Sequence, residues 1–168
     1  WSSISRNPEF DISWYEKYSD KPWDSKYWCF SSHFKIDWVI KYPNVAWSWV
    51  DICYHSSVTF EILEKYMNLP WNWSRLATNQ SVDIRWLEIF AKQKCKTKIW
   101  KKLSYHSNLQ LSWIQKYSIF PWNWKYISEC HNLRLEWLLA FPHKSWNWRT
   151  ISDSPHMEYT WYLAFPNV

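Results

Sequence analysis

The sequence predicts an all-α fold, an α-solenoid of about seven repeats in which each repeat is a pair of short helices. A 24-residue phrase, which its clearest copies spell Trp-Asn-Trp-x-x-Ile-Ser and close on Trp-Leu-x-x-Phe-Pro, returns along the whole chain. Within each copy, apolar residues recur at the spacing of one helix face. A fixed period of this length is typical of stacked units that each contact only their neighbours.

The copies align when the first Trp of the phrase is taken as position 1. They then span 1–22, 23–46, 47–70, 71–97, 98–121, 122–145 and 146–168, which together predict a single repeat domain over 1–168. The fourth copy has 27 residues because three extra residues lie near 93–97. The chain opens at position 3 and closes inside a copy, so we expect it to be a window of a longer array.

The first helix of each copy is predicted to begin just after position 2. A side-chain oxygen at this position can accept from the free amides of the first turn, and the residues found there are Asp24, Ser48, Asn72, Asn123 and Asn147. Apolar residues at positions 3 and 6 share one helix face. Four short hydroxyl side chains suit the end of this helix: Ser5, Ser104, Ser128 and Ser152.

The second helix carries apolar residues at positions 14, 16, 17 and 20. Position 16 is Trp in six copies and Ile in one: Trp14, Trp38, Ile62, Trp86, Trp113, Trp137 and Trp161. The helix is predicted to stop at Pro43, Pro142 or Pro166, because proline disfavours helix in the residue before it. Aromatic and β-branched residues also favour strands, but the spacing 16, 17, 20 argues against a strand.

The tryptophans are expected to form most of the core. Helices of two or three turns are marginal alone in water, and each buried aromatic ring removes about 150 to 250 Å² from solvent. Most of the repeat Trp side chains are therefore interpreted as packing residues. The remaining minority, one Trp ring per repeat, is expected to lie at the surface, where it could stack on a ligand.

Composition and motifs do not indicate catalysis. The chain has no glycine, so it cannot contain the glycine-rich loops that bind phosphates or dinucleotides. No combination of Ser, His and an acidic residue stands out from the repeat pattern. We therefore expect no enzyme, no catalytic residues and no cofactor. The cysteines and histidines lack metal-ligand spacing, so no metal site is expected, and Cys95 is the candidate for a reactive thiol. No apolar run is long enough for a membrane span.

Charge is concentrated in the second half of the chain. Residues 85–168 contain 12 basic and 5 acidic side chains, whereas residues 1–84 contain 8 and 10. Six lysines near the insertion form the candidate interaction patch: Lys92, Lys94, Lys96, Lys98, Lys101 and Lys102. We expect a basic loop over 92–102 that projects from the solenoid. It could be a solvated loop, or it could bind acidic protein or the phosphates of nucleic acid.

The phrases PWNWSRLATN at 70–79, PWNWKYIS at 121–128 and SWNWRTIS at 145–152 resemble the Trp-rich tandem repeats of many giant DNA virus proteins. The similarity covers nearly the whole chain, and the members of that group are largely uncharacterised. It implies a viral protein with a role in the virion or in contact with the host. The chain departs from the pattern at Ser25 and Lys98, which replace Trp, so those copies are expected to pack less regularly.

The predicted function is a structural or protein-binding scaffold, with other proteins, a viral assembly or copies of itself as partners. The alternative is a nucleic-acid-binding solenoid that uses the 92–102 loop. Four cysteines without a disulfide framework favour a reducing compartment, with the virion or host cytoplasm as the suspected location.

Overall fold

The computed structural model describes residues 1–154 and 157–166, and every regular element in these ranges is a helix. The all-α class is therefore confirmed, and each copy contains two helices. In chain order these are α1 (Ser2–Ser5), α2 (Ile12–Lys17), the 3₁₀ helix η1 (Ser25–Phe30), α3 (Ile36–Lys41), α4 (Trp49–Ile52), α5 (Phe60–Lys65), α6 (Trp73–Leu76), α7 (Ile84–Ala91), α8 (Lys96–Leu103), α9 (Leu111–Lys116), α10 (Trp124–Ser128), α11 (Leu135–Ala140), α12 (Trp148–Ser152) and α13 (Tyr159–Ala164).

The chain divides into two compact units, Trp1–Val82 and Asp83–Val168. The boundary lies between the two helices of the fourth copy, α6 and α7. The single repeat domain that the sequence predicts stays a prediction. Inside each unit, the same side-chain contacts join one copy to the next, and these contacts are described below.

The predicted N-caps are confirmed at the three asparagines of position 2. The Asn72 side chain accepts from the third backbone N–H after it at 3.1 Å, and Asn123 and Asn147 do the same at 3.2 and 3.4 Å. Each bond satisfies one of the free amides that a helix leaves in its first turn. The bond therefore fixes where α6, α10 and α12 begin.

Asp24 and Ser48 also lie directly before a helix, as predicted, but the capping hydrogen bond expected from their side chains is absent. Neither side chain accepts from the helix that follows it. The Ser48 hydroxyl instead donates to the Asp51 carboxylate, and Asp24 forms an ion pair with Lys26 at 3.3 Å. A nearby charged partner has thus replaced the backbone amide in both copies. The helix after Asp24 is the 3₁₀ helix η1, in the copy where Ser25 replaces Trp.

The serines predicted to close the first helix lie at its last residue or directly after it. The Ser104 hydroxyl donates to the Trp100 carbonyl at 2.7 Å and accepts from the Asn123 N–H at 2.8 Å. Ser5 and Ser128 make the same pair of bonds. One hydroxyl therefore ends a helix and connects it to position 2 of the next copy.

The core is built from columns of equivalent positions. Position 6 is fully buried in six copies, as Trp28, Ile52, Leu76, Leu103, Ile127 and Ile151. Position 12 is also buried in six copies, as Phe10, Phe34, Val58, Val82, Leu109 and Leu133. Position 12 lies in the turn between the two helices, so the apolar spacing of a helix face did not predict that it belongs to the core. Its apolar side chain closes that turn over the interior.

The tryptophan columns differ in exposure. Position 1 is buried in four copies, and position 16 is buried in five. Position 3 contains the partly exposed ring: Trp49, Trp73, Trp124 and Trp148 are half-buried and Trp1 is 39% exposed, whereas Trp100 is fully buried. Most of the repeat tryptophans are thus core residues, as expected, and the exposed minority belongs mainly to one column.

In six copies position 20 is the residue directly after the second helix. In five of them its carbonyl accepts a hydrogen bond from the Trp that begins the next copy. The bond joins the indole Nε1 of Trp122 to the Tyr117 carbonyl at 3.0 Å. The same bond occurs at 2.7 to 2.9 Å from Trp23, Trp47, Trp71 and Trp146. A helix leaves its last carbonyls without partners, and many helices satisfy them through glycine conformations. In this glycine-free chain the position 20 carbonyl accepts the indole N–H and also the backbone N–H three residues later, as Tyr117 does from Phe120 at 3.1 Å.

The indole bond predicts an asymmetry between two buried tryptophans. Trp122→Phe removes a ring and the bond to the Tyr117 carbonyl, whereas Trp137→Phe removes the same ring atoms from a side chain that makes no such bond within the described residues. We expect Trp122→Phe to lower the free energy of unfolding by about 1 kcal/mol more than Trp137→Phe does. Urea denaturation measures this free energy. Equal decreases in the two variants would contradict a stabilising role for the indole bond.

Candidate interaction surface

Most of the lysine-rich segment 92–102 is helical, so the basic loop predicted over these residues is wrong for most of its length. Residues 92–95 form a short turn, and Lys96–Leu103 is the helix α8 of eight residues. The physical reason is the apolar spacing of Ile99, Trp100 and Leu103, which all lie fully buried on one side. Lysine favours helix, so the extra residues extend the helix rather than a loop.

Three of the six candidate lysines share the outer face of α8. Lys98, Lys101 and Lys102 are three and four residues apart, which places them side by side on a helix. The other three candidate lysines precede Lys98 in the sequence. Lys92 caps α7 and pairs with Glu88 at 3.6 Å, Lys94 is exposed in the turn, and Lys96 is the first residue of α8.

Two tyrosines lie beside these lysines. The Lys102 amine lies 5.4 Å from the centre of the Tyr105 ring, and the Lys101 amine lies 5.6 Å from that of Tyr126. The two rings pack edge-on, with their centres 5.2 Å apart. Lys98, Lys101, Lys102, Tyr105 and Tyr126 therefore form one surface, named here the basic-aromatic face. A cation over an aromatic ring is attracted by the negative ring face.

The tyrosines of this face follow a repeat rule that the sequence interpretation missed. Tyr105 is at position 8 of its copy, and Tyr126 is at position 5 of the next. In the first unit, the same positions pair Arg6 with Tyr27 at 4.3 Å, and Tyr54 with Arg75 at 5.6 Å, each measured from guanidinium carbon to ring centre. The available signal was the spacing of 21 residues, at which a cation faces an aromatic ring in the first unit and two aromatic rings meet in the second.

The electrostatic setting of the basic-aromatic face is strongly positive. The unit Asp83–Val168 contains 12 basic and 6 acidic side chains, whereas Trp1–Val82 contains 8 and 9. The positive charge predicted for the second half of the chain therefore belongs to one compact unit. Such a surface attracts anionic partners, and salt weakens that attraction.

The cysteines fall into two classes by exposure. Burial raises the pKa of the Cys29 thiol to about 12, and the Asp51 carboxylate adds to this effect. Burial also raises the pKa of Cys53 to about 11 and that of the half-buried Cys130. Cys95 is exposed at the N-cap position of α8. The exposed thiol is therefore the accessible nucleophile among the four.

Neither a metal-ligand cluster nor a membrane-spanning helix occurs in the part of the chain that the structure describes. It contains no group of three or more His, Cys, Asp or Glu side chains arranged to bind a metal ion. Residues 1–154 and 157–166 also include no helix with the length and apolar character needed to span a bilayer.

Comparison with known proteins adds no assignment to this geometry. No protein-family model matches the chain, and no curated protein or solved structure is similar enough to count as a match.

Thiol labelling checks the difference between the cysteines. With N-ethylmaleimide at a pH of about 8, we expect Cys95 to be modified in the folded protein and the other three only after unfolding, because the thiolate is the reactive form. Peptide mass spectrometry identifies the modified residue. Cys95→Ser is the control and should remove the fast labelling; fast modification of Cys29 or Cys53 in this variant would contradict their burial.

Proposed function

We propose that the protein is a non-enzymatic repeat scaffold, an α-solenoid whose basic-aromatic face binds an acidic segment of a partner protein. The single observation that carries the binding proposal is the alignment of Lys98, Lys101 and Lys102 on one helix face beside two tyrosines. The resemblance to Trp-rich repeats of giant DNA viruses supports a partner that belongs to a virion or host assembly.

The solenoid arrangement is supported by the contacts between consecutive copies inside each unit. The position 1 indole binds the carbonyl at the end of the preceding copy in both units, as with Trp71 and Trp146. The Asn79 side chain donates to the Cys53 carbonyl at 2.8 Å, and Asn132 donates to that of Ser107 at 3.0 Å. Contacts that join only neighbouring copies are what a quasi-one-dimensional stack requires.

A protein partner is favoured over nucleic acid by the position of the lysine amines. The Lys101 and Lys102 amines lie over the Tyr126 and Tyr105 rings. A base that stacked on these rings would displace the amines, whereas carboxylates can pair with the amines where they are. Base stacking on open aromatic faces is a main source of affinity in single-strand binding. The arrangement therefore fits an acidic peptide better.

Nucleic acid is the second candidate, because the same three lysines can neutralise backbone phosphates. That contribution needs no base stacking and falls steeply as salt rises. The two candidates make opposite predictions about preference. An acidic-peptide site should bind polyglutamate at least as tightly as a single-stranded oligonucleotide of equal charge.

The test is a charge-reversal variant of the face, Lys98→Glu with Lys101→Glu and Lys102→Glu. Its matched control reverses Lys94, Lys116 and Lys144 in the same unit, so the net charge is identical. Fluorescence anisotropy measures binding of labelled polyglutamate and of a labelled oligonucleotide. We expect the face variant to bind polyglutamate at least about tenfold more weakly, and the control to change it by less than about threefold.

Two results would change the assignment. Equal weakening by both variants would mean that binding follows net charge rather than the basic-aromatic face. Tighter binding of the oligonucleotide than of polyglutamate, lost only in the face variant, would establish the nucleic-acid candidate. Circular dichroism of both variants confirms that the helices remain folded.

A further inference from the structure

A cavity of about 310 Å³ opens at the surface of the first unit, where the second copy departs from the repeat. Its lining includes Tyr15, Trp23, Ser25, Trp28, Asn44 and Val45. Ser25 is at position 3, where each of the other six copies has Trp. The cavity therefore adjoins the one copy that lacks this indole.

The other copies show what the missing ring would contact. In the first unit, Trp49 packs edge-on against Trp71, the position 1 residue of the next copy, with ring centres 5.3 Å apart. In the second unit, Trp124 contacts Trp146 in the same way at 4.9 Å and also contacts Phe141 at 5.2 Å. The position 3 indole thus fills the space between the end of its own copy and the start of the next.

Trp28 compensates for part of this loss. It is at position 6, where other copies have Ile or Leu, and its ring packs edge-on against Trp47 at 5.6 Å. The Trp28 ring is fully buried and stacks on Phe10 at 4.8 Å, so it forms a wall of the cavity. Tyr42, the position 20 residue of this copy, packs against Tyr15 at 5.3 Å. An aromatic-lined space remains open beside these rings.

We propose that this cavity binds a planar heteroaromatic group of the indole class. An indole occupies position 3 in each of the other copies, and the half-buried rings of Tyr15 and Trp23 line the cavity beside the copy that lacks it. Offset and edge-on contacts between aromatic rings stabilise such an arrangement beyond the area that they bury. The site is separate from the basic-aromatic face and does not depend on it.

The size and polarity of the cavity set the ligand class. Its volume lies at the lower end of ligand pockets, which span about 300 to 1,000 Å³, so it suits a bicyclic ring rather than a larger cofactor. The Ser25 hydroxyl donates to the Ala46 carbonyl at 3.0 Å, and Asn44 adds an amide to the lining. Because the Ser25 hydroxyl is engaged with Ala46, the Asn44 amide is the group that can orient the ring nitrogen.

Indole is the probe for the first experiment. A compound of this size is expected to bind with a dissociation constant on the order of 1 mM, within reach of NMR titration. Because the protein has 18 Trp residues, amide shifts report the location better than fluorescence does. We expect saturable shifts at the amides of Ser25, Asn44 and Val45.

Ser25→Trp and Ser25→Ala form a matched pair. Ser25→Trp supplies the indole that the other copies carry and fills the cavity, so we expect it to weaken indole binding by at least about tenfold. Ser25→Ala keeps the cavity open and should bind indole within about threefold of the unchanged protein. If Ser25→Trp does not fold by circular dichroism, Val45→Phe, which narrows the cavity from its other side, replaces it.

Two results would overturn the site. One is the absence of saturable shifts at these amides in the unchanged protein. The other is equal indole binding by the unchanged protein and the filled variant, which would place indole elsewhere. A parallel titration with N-acetyl-tryptophanamide distinguishes the source of the ring: tighter binding than indole indicates a tryptophan side chain of a partner, and weaker binding indicates a free small molecule.

Discussion

The indole hydrogen bond between copies is the interaction on which the rest of the structure depends. Helices of four to eight residues are too short to be stable alone, so each needs neighbours that also satisfy its free backbone groups. The position 1 Trp contributes to both, because its ring is buried in four copies and its N–H donates to the position 20 carbonyl, which also accepts a backbone N–H. Each Trp of the phrase is replaced in one copy, but the first is the more buried of the two.

The departures from the phrase coincide with the candidate binding features. At Lys98 the position 1 indole is absent, and the copy instead has a longer helix whose outer face presents lysines. At Ser25 the position 3 indole is absent, and a cavity remains although Trp28 fills part of the space. In each of these two copies a packing Trp is absent. Lysines on the outer face of α8 in one copy, and an open cavity beside Ser25 in the other, are features that the regular copies lack.

Much of the local structure could be predicted because its signals lie within one copy. The period, the caps at Asn72, Asn123 and Asn147, and the prolines after the second helix all depend on residues close in sequence. Three features could not be predicted so easily. Asp24 has a charged neighbour that competes with its cap role, α8 required weighing Ile99 and Trp100 against a run of lysines, and the pairing of Tyr105 with Tyr126 joins positions 21 residues apart.

The hydrogen bonds between copies also bear on how such a gene can change. Each bond has its donor at one fixed position of a copy and its acceptor at another fixed position of the preceding copy, as in Trp47 with Tyr42. Recombination that adds or deletes a whole copy therefore leaves every donor with an acceptor. An insertion of three residues would disturb such a junction, and the chain carries its insertion beside Lys98, at the junction where position 1 has no indole to misalign. Within this chain, the hydrogen bond between copies thus restricts where an insertion can lie without breaking a junction.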